Sequence, residues 1–358
     1  GKKMIELITA DTPNGKKIID DQGNVVWEAG TLKGTKAIGW FIDEYGVAQV
    51  SMNITNINET PIHIAFDEVS DKAQLRGMRV TGAELVGLVP LHTLLSAGKH
   101  YLKKQERSTG VSDSELIKIA VKSMGLDDLY EFKAEEKIIE YLIEDRTTKK
   151  LVDMNLKEFA EETASESPAP GGGSVSAYVG AMGVALGTMV SNLSAHKRGW
   201  DDRWEEFSIW ADKGQEFMKK LVAFVDEDTQ AFNKIMDAFK LPNGNDAEKA
   251  IRKQAIQIAT KYAIEVPFTV METAFSSMQV ILAMAKSGNP NSASDAGVGA
   301  LCACMAVKGA YLNVKINSAD LDDKDYVKEI LEKGSEIIEK SELLEKEILS
   351  IVEHNILH

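Results

Sequence analysis

The segment PAPGGGS, residues 168–174, opens a stretch without charged residues that extends to Ala195. Three consecutive glycines leave the backbone free and allow a ligand or another chain to approach closely. Ser174 is a natural N-cap, and the helix that follows presents unpaired N–H groups suited to anions or polar oxygens. The segment lacks the Gly-Lys-Ser/Thr of a P-loop and the spacing of GxGxxG. From the residues alone, a ligand site and a tight connection in a crowded helical bundle are equally favoured.

The helix predicted after this segment is apolar enough to raise the question of a membrane span. Residues 175–193 are long enough to cross a bilayer, and Gly183 and Gly187 form a GxxxG pair. The composition is nevertheless rich in Gly, Ala and Ser rather than in Leu and Phe, with small residues at helical spacing. Such residues let helices approach closely in water as well as in lipid. We therefore expect a buried helix in a soluble bundle and no membrane association.

The 358 residues exceed the usual size of one domain, and the sequence pattern changes near residue 146. We predict an α+β region over residues 1–145, a polar linker over 146–152 and an all-α helical bundle over 153–358. The first region is expected to contain a β-hairpin over 36–42 and 47–54, a short strand at 78–81, and helices that begin near Pro61, Pro90 and Ser112. The bundle helices are expected near 155–164, 174–196, 202–239, 246–287, 293–317 and 323–355, with Pro267 kinking or dividing the fourth.

Charge and cysteine content narrow the functional class. The net charge of −14 argues against general nucleic-acid binding, which depends on neutralising phosphates with Lys and Arg. Cys302 and Cys304 would point about 200° apart on a helix, so we expect small buried side chains rather than a disulfide or a shared metal. Without a disulfide framework or a signal peptide, a cytoplasmic location is expected. A start at Gly1 without an initiator Met is typical of a piece of a longer protein or of a tagged chain.

Asp228 differs from the neighbouring acids in the side of its helix on which it lies. At 100° per residue it falls within about 40° of an apolar stripe, whereas Asp226 lies about 160° away and Glu227 about 100° away. A carboxyl on an apolar face must be paired, hydrogen-bonded or protonated, and its pKa rises unless a partner offsets desolvation. A general acid or base and a buried structural salt bridge both fit this pattern. The stripe consists of Leu221, Phe224, Phe232, Ile235 and Phe239.

Other polar residues lie on helical faces and leave their roles open. Glu265 and Glu272, seven residues apart, either line a wet cavity or form a solvated stripe. Asn313 and Asn317, four apart in an apolar helix, either bridge helices or read a polar heterocycle, because buried amides need partners. Asp295 offers a cap for the helix that follows it.

Two more groups complete the candidates. Gln49, Ser51 and Asn53 share one face of the second hairpin strand, and this face is either solvated or turned toward a ligand. The histidines do not stand at a metal-ligand spacing such as HExxH, so we predict no metal. They are His63, His92, His100, His196, His354 and His358.

Residues 151–354 resemble the cyclodeaminase domain of the bifunctional formimidoyltransferase-cyclodeaminase family. The glycine-rich start followed by the acidic segment around Asp228 is a fairly specific pattern. The matching stretches are 168–174, 225–228 with Ala231 and Phe232, Gly288 and Asn289, Ser294 and Asp295, and 311–317.

The first half resembles the C-terminal subdomain of the same family's formimidoyltransferase domain. The matching stretches are 38–40, 48–53, 82–91 and 135–141. In the family another subdomain precedes this one and supplies the catalytic histidine, and none of the six histidines here matches that position. We therefore expect that N-terminal subdomain to be absent and glutamate formimidoyltransferase activity to be lost, while Gln49, Ser51 and Asn53 keep a folate-binding surface.

The resemblance implies a lyase of histidine degradation and one-carbon folate metabolism, which converts 5-formimidoyltetrahydrofolate to 5,10-methenyltetrahydrofolate and ammonia. Folate N10 loses a proton as it attacks the formimidoyl carbon, and the departing nitrogen gains one. A single carboxyl with a pKa near neutrality can serve both steps, and the resemblance assigns that role to Asp228. Lys197 and Arg198 are expected to meet the folate glutamate tail. The full set of expected substrate-binding residues is Gly171, Gly172, Gly173, Ser174, Lys197, Arg198, Glu265, Asn289, Asp295, Asn313 and Asn317.

The expected ligand is a tetrahydrofolate derivative, with or without a polyglutamate tail, and no nucleotide is expected. The resemblance also implies a homodimer or a higher homo-oligomer. One alternative is a methenyltetrahydrofolate cyclohydrolase, because a related stand-alone family shares the helical fold. The other alternative is a non-catalytic module that binds folate and dimerises. Comparing turnover of the formimidoyl and methenyl substrates separates the cyclodeaminase from the cyclohydrolase, and folate binding without release of ammonia would favour the non-catalytic module.

Overall fold

The computed structural model describes residues 2–3, 18–28, 30–144 and 150–357. The chain forms two compact units, one made of Gly1–Tyr101 and Leu116–Ile143, the other of Leu102–Glu115 and Glu144–His358. Residues 146–149, most of the predicted linker, lie outside the described residues. Its last part is a 3₁₀ turn, Leu151–Asp153, in which Leu151 is buried.

In its described residues, the first unit contains two small antiparallel pairs of strands and several helices. The predicted hairpin is confirmed, and Gly46 takes the left-handed conformation that its turn requires. The predicted strand at 78–81 is wrong. The N–H of Met78 instead donates to the carbonyl of Ala73 and closes the end of the preceding helix. The elements are β1 (Lys2–Lys3), β2 (Trp27–Glu28), β3 (Thr35–Ile42), β4 (Val47–Ile54), α1 (Ile62–Gln74), α2 (Leu91–Lys104), α3 (Asp113–Met124), α4 (Ala134–Lys137) and α5 (Ile139–Ile143).

The apolar core of the first unit lies between α2 and α3. Leu94 and Ala97 of α2 pack with Ala120 and Met124 of α3 and with Ile138, and all five are almost fully buried. Burying such side chains stabilises a fold by about 1.5–3 kcal/mol for each large aliphatic residue. The predicted α+β character therefore rests on a helical core with a hairpin beside it.

A buried histidine lies at the edge of this core. The ring of His63 stacks on that of His100 at 4.4 Å between centroids, and its Nδ1 has no hydrogen-bond partner among the described residues. Nε2 of His100 lies 2.8 Å from a carboxylate oxygen of Asp67, whose other oxygen accepts a hydrogen bond from Tyr101. Burial first, and the neighbouring His100 second, lower the pKa of His63 to about 4.

The second unit is an all-helical bundle, as the sequence predicts. Its four central helices, α7 to α10, form a ring in which each packs against the next, and α11 covers α9 and α10 from outside. Pro267 lies within α9 but does not divide it. The helices are α6 (Leu156–Thr163), α7 (Gly172–Ala195), α8 (Trp204–Phe239), α9 (Asp246–Ser287), α10 (Ala293–Ser318) and α11 (Lys324–Leu357).

Small residues allow α7 and α10 to approach very closely. A Cβ on Gly183 would lie 2.8 Å from the carbonyl oxygen of Gly299, and a Cβ on Gly299 would lie 2.8 Å from that of Gly183. Further along the same seam, Gly180 faces the methyl group of Ala306. Gly180 and Gly183 therefore form part of the contact between these two helices, whereas Gly187 faces Ile281 of α9.

Among the residues that the structure describes, three helices are long and apolar enough to cross a membrane: Gly172–Ala195, Asp246–Ser287 and the 3₁₀ turn with α10, Pro290–Ser318. Their most apolar windows are 61%, 56% and 50% buried within the protein. The outer sides of α7 and α10 nevertheless expose large apolar side chains, here called the apolar band. The band consists of Met182, Met189, Leu193, Val298, Leu301, Met305, Leu312 and Ile316.

Candidate active site

The glycine-rich segment forms the first turn of α7, with a start that differs from the prediction. Gly171, in an extended conformation, is the N-cap, and the helix begins at Gly172. Ser174 is therefore the third residue of the helix and not its N-cap. Its backbone N–H has no acceptor within the first turn of the helix and donates a hydrogen bond of 2.9 Å to Oδ2 of Asp228 on α8. A carboxylate from another helix thus caps this helix start, in the place where a Ser or Asp side chain of the same segment would otherwise do so.

The hydroxyl of Ser174 reaches the same carboxylate. Its Oγ lies 3.2 Å from Oδ2 of Asp228 and 2.8 Å from the backbone oxygen of Val225. Within the described part of the chain, Oδ1 of Asp228 accepts no hydrogen bond. One carboxylate oxygen is therefore held in place, and the other remains available.

Burial and hydrogen bonding act in opposite directions on Asp228. Desolvation of the partly buried carboxyl raises its pKa, and the hydroxyl and N–H donors of Ser174 only partly offset this rise. The result is a pKa above the ordinary value of an aspartate. A carboxyl of this kind can hold a proton closer to neutrality and exchange it with a ligand.

Gly173 makes room for this carboxyl. A Cβ on Gly173 would lie 2.6 Å from Oδ2 of Asp228 and still closer to Oδ1. The neighbouring glycines are less restricted, because a Cβ on Gly171 would meet only the oxygen of Pro168, at 3.9 Å. The last of the three glycines, Gly173, is thus the one that the position of Asp228 requires.

Asp228 opens onto a cavity of about 160 Å³ at one end of the bundle. Asn313 and Asn317 of α10 form the wall opposite α8, with their Nδ2 groups donating to the backbone oxygens of Gly309 and Ala263. Their Oδ1 atoms accept no hydrogen bond from the described residues. The lining residues are Pro168, Ala169, Gly171, Gly172, Asp228, Thr229, Ala231, Phe232, Ile235, Ala263, Asn313 and Asn317.

The three consecutive acids of α8 have three different partners. Asp226 accepts a hydrogen bond of 2.6 Å from the N–H of Leu151, and Glu227 accepts one of 2.8 Å from the hydroxyl of Tyr262. Only Asp228 lines the cavity, on the side that the helical stripe predicts. The apolar stripe itself is more exposed than expected, because Phe232 faces the open cavity and is 39% exposed.

Several residues expected at the site lie elsewhere. Lys197 and Arg198 follow the C-terminal end of α7, and its 24 residues span roughly 36 Å from the glycine-rich start. Asn289 lies at that far end too, where its N–H donates to Ser194. Asp295 lies in the first turn of α10, about five helical turns before Asn313. The structure therefore does not bring these four residues together with Asp228.

The remaining predicted residues are not among those that line the cavity. Glu265 is exposed on α9, and burial first, with the charge of Glu265 second, raises the pKa of Tyr326 to about 12. The exposed position fits the solvated stripe rather than the wet cavity. Gln49, Ser51 and Asn53 belong to the first unit, where they face the same side of the hairpin as Trp40, Ile38 and Lys36 respectively.

Some of the residues that line the cavity are not among the predicted site residues. Thr229 directly follows Asp228, and its hydroxyl lies 3.4 Å from that of Ser174, a neighbourhood that the position of Asp228 could have indicated. Ala263 contributes through its backbone oxygen, which no side-chain pattern reveals. Among the residues that the structure describes, no group of three or more His, Cys, Asp or Glu side chains is placed to hold a metal ion.

Two family models match the chain. A model described as formiminotransferase-cyclodeaminase matches residues 155–336, and one described as a formiminotransferase domain matches residues 7–144. The second match agrees with the transferase-like first half. It does not support the expectation that part of the transferase is absent.

Known proteins are similar over the same regions. The formimidoyltransferase-cyclodeaminase of Gallus gallus is 35% identical over 336 residues, which are 94% of this chain and 62% of that protein. The chain thus spans less than two thirds of its length. The methenyltetrahydrofolate cyclohydrolase of Methylorubrum extorquens is 32% identical over 201 residues, 56% of this chain and 97% of that protein. The crystal structure of a formiminotetrahydrofolate cyclodeaminase from Thermotoga maritima superposes with a TM-score of 0.51 at 30% identity, covering 57% of this chain and 98% of that one.

Proposed function

The chain belongs to the formiminotransferase-cyclodeaminase family, and we propose that its helical unit is a cyclodeaminase that converts 5-formimidoyltetrahydrofolate to 5,10-methenyltetrahydrofolate and ammonia. The proposal rests on the position and the properties of the Asp228 carboxyl. It lines a cavity, has a raised pKa and keeps one oxygen without a hydrogen bond from the described residues. These properties suit a group that must both accept and donate a proton.

The proposed reaction uses this carboxyl twice. Ionised Asp228 accepts the proton of folate N10 as N10 attacks the formimidoyl carbon. The protonated carboxyl then gives a proton to the amino group of the tetrahedral intermediate, and ammonia departs as the methenyl bridge forms. Atoms and charge balance, because the cationic amidine yields one methenyl cation and one neutral ammonia. Asp228 ends each turnover in the state in which it began.

The size of the cavity limits which part of the substrate it receives. Pockets that enclose a whole drug-sized ligand measure about 300–1,000 Å³, and this one measures about 160 Å³. We propose that only the reacting end of the folate enters, while the aminobenzoyl-glutamate tail remains outside. The Oδ1 atoms of Asn313 and Asn317 are suited to accept hydrogen bonds from the pterin N–H groups, and the exposed ring of Phe232 offers an apolar face.

Replacement of Asp228 by Asn tests the proposal. Asp228→Asn keeps the size of the side chain and an acceptor for the N–H of Ser174 but cannot carry the proton. We expect a fall in ammonia release of at least about 100-fold, the size of effect expected when a general acid or base is lost. Asp226→Asn is the matched control, because the adjacent acid contacts Leu151 instead. Activity near the wild-type level in Asp228→Asn, with the fold intact, would overturn the assignment.

Methenyltetrahydrofolate cyclohydrolase is the second candidate function. It is favoured by the similarity to the Methylorubrum extorquens enzyme, of which the chain covers 97%. The same carboxyl would then activate a water molecule to attack the methenyl carbon. Comparing turnover of the formimidoyl and methenyl substrates by one preparation separates the two, since only the first releases ammonia.

The loss of glutamate formimidoyltransferase activity stays a prediction. We expect purified chain supplied with formimidoylglutamate and tetrahydrofolate to form no 5-formimidoyltetrahydrofolate. Detection of that product would show that the chain performs both reactions.

We also propose that the chain forms a homo-oligomer that covers the apolar band. The eight side chains expose on the order of 800 Å² per chain, which is the area per partner of a standard protein interface. Met305→Lys should lower the mass measured by light scattering to that of a smaller species. Leu343→Lys is the matched control, since Leu343 is also exposed but lies on α11 outside the band. An unchanged mass for Met305→Lys would contradict this interface.

A cytoplasmic location is proposed together with this assembly. Covering the band in an oligomer would remove the apolar surface that a membrane would otherwise cover. Cell fractionation should recover the chain in the soluble fraction without detergent. Recovery only in detergent extracts would instead indicate that the apolar helices lie in a membrane.

A further inference from the structure

Ser174 has one hydroxyl proton and two nearer acceptors, a backbone oxygen and a carboxylate oxygen, while the hydroxyl of Thr229 lies farther away, at 3.4 Å. Its Oγ lies 2.8 Å from the backbone oxygen of Val225 and 3.2 Å from Oδ2 of Asp228. The side chain is completely buried, so water does not compete for the proton. The hydroxyl can therefore donate to only one of these two oxygens at a time.

We propose that the Ser174 hydroxyl is a two-position donor that responds to the proton on Asp228, turning to Oδ2 when the carboxyl is ionised and to the oxygen of Val225 when the carboxyl is protonated. This inference rests on the proposed function, because that reaction makes Asp228 change its protonation state twice in each turnover. It makes Ser174 a positioning residue, which acts through Asp228 and not on the substrate.

The energetic reason lies in the change of the acceptor. An ionised carboxylate accepts charge-assisted hydrogen bonds that are roughly twice as strong as neutral ones, so it attracts the hydroxyl in spite of the longer distance. Protonation at Oδ1, the oxygen without a hydrogen bond from the described residues, leaves Oδ2 as a weaker, neutral acceptor. The closer oxygen of Val225 then becomes the better partner. Only a hydroxyl hydrogen rotates, and no heavy atom has to move.

This arrangement would allow the carboxyl both to accept and to donate a proton. The backbone N–H of Ser174 is a fixed donor that favours the ionised form at all times. The hydroxyl adds a donor when the charge appears and withdraws it when the charge disappears. Both states of Asp228 are thus stabilised in a buried position in which a carboxyl with the fixed donor alone would retain its proton too firmly.

The test is the pH dependence of kcat/KM in Ser174→Ala. Loss of a hydrogen bond to the charged form should move the rising limb, which reports ionisation of Asp228, upward by about 1 pH unit. Ser174→Cys, with a weaker donor of similar size, should give a smaller shift and serves where the alanine variant folds poorly. Ser176→Ala is the matched control, because Ser176 is equally buried on α7 and its hydroxyl donates to Gly172.

A merely structural role for Ser174 predicts a different result. Turnover would then fall by the same factor at every pH, with the limb unmoved, and the proposal would be overturned. A second measurement does not depend on turnover: titration of ¹³C-labelled aspartate by NMR, with the signal of Asp228 identified by its loss in Asp228→Asn. An upward shift of that titration in Ser174→Ala supports the inference. Absence of ammonia release by the wild-type chain would refute the proposed function and leave this titration readable.

Discussion

The backbone N–H of Ser174 and Oδ2 of Asp228 are joined across 2.9 Å, although 54 residues separate them in the sequence. The hydrogen bond connects the first turn of α7 with the middle of α8. It gives an N–H at the start of a helix an acceptor, and it stabilises the charged form of a carboxyl that desolvation would otherwise disfavour. The geometry of the cavity therefore depends on how closely these two helices approach at this point.

The first prediction concerns the three glycines before Ser174. Gly173→Ala should lower kcat/KM by about 100-fold, because its Cβ would displace the Asp228 carboxyl and small misplacements of reacting groups have effects of that size. Gly171→Ala should retain activity within about threefold, since its Cβ has only an ordinary contact at 3.9 Å. Steady-state kinetics of both variants provide the measurement. Equal losses of kcat/KM in the two variants would show that the flexibility of the glycine backbone matters at this turn, and not the space beside the Asp228 carboxyl.

The second prediction concerns stability. Because the pKa of Asp228 is raised in the folded state, this carboxyl favours folding most below its unfolded pKa and contributes less as the pH rises through the folded pKa. Asp228→Asn should therefore raise the melting temperature at pH 7–8 by about 2–5 °C, with a difference that shrinks toward pH 4. Calorimetry across this range, with Asp226→Asn as control, gives the answer. A lower melting temperature at every pH would mean that the Ser174 hydrogen bonds outweigh desolvation.

The third prediction concerns the basic pair at the far end of α7. Lys197→Ala and Arg198→Ala should change KM by less than about twofold, because charges tens of ångströms apart are screened at physiological ionic strength. Initial rates with monoglutamyl and polyglutamyl substrates provide the measurement. A large increase in KM for the polyglutamate alone would show that the tail reaches this end, from the same or another copy of the chain.

The fourth prediction concerns His63 in the first unit. Its pKa is lowered to about 4, so the stabilisation that it gives as a neutral side chain is complete above pH 6.5 and is lost as the pH falls toward 4. Hydrogen exchange should show protection factors in α1 and α2 about tenfold lower at pH 5 than at pH 7.5. His63→Leu should flatten this dependence, whereas replacement of the exposed His92 by Gln should not. An unchanged pH dependence in His63→Leu would assign the effect to another group.

The helices of the bundle could be predicted closely because their signals are local. The uncharged run and the small residues of α7 gave its extent to within two residues, and periodicity gave the extents of α8 to α11. The start of α7 was assigned to the wrong residue for a non-local reason. Ser174 is an ideal N-cap by type, but Asp228 caps the helix from 54 residues away, and Gly171 takes the cap position.

Only part of the site could be predicted, again because a local pattern does not give the position of a residue in space. Helical angles alone place Asp228 on the apolar side of α8, and the structure puts it on the cavity. The positive charge of Lys197 and the resemblance around Asn289 assign both residues to the site, but neither charge nor order along the chain gives position in space. Counting residues along the helices would have corrected this, because a helix of 24 residues carries its two ends about 36 Å apart.

The close contact between Gly183 and Gly299 limits which substitutions this chain can accept during evolution. A methyl group on either residue would meet the other's carbonyl oxygen, so a single replacement is accommodated only if α7 and α10 move apart. The same movement would separate Gly172 from Asn313, which lie next to each other on these two helices and both line the cavity. Selection for catalysis would then act on two glycines that touch neither the cavity nor its carboxyl. A lineage that retains the activity is expected to retain both.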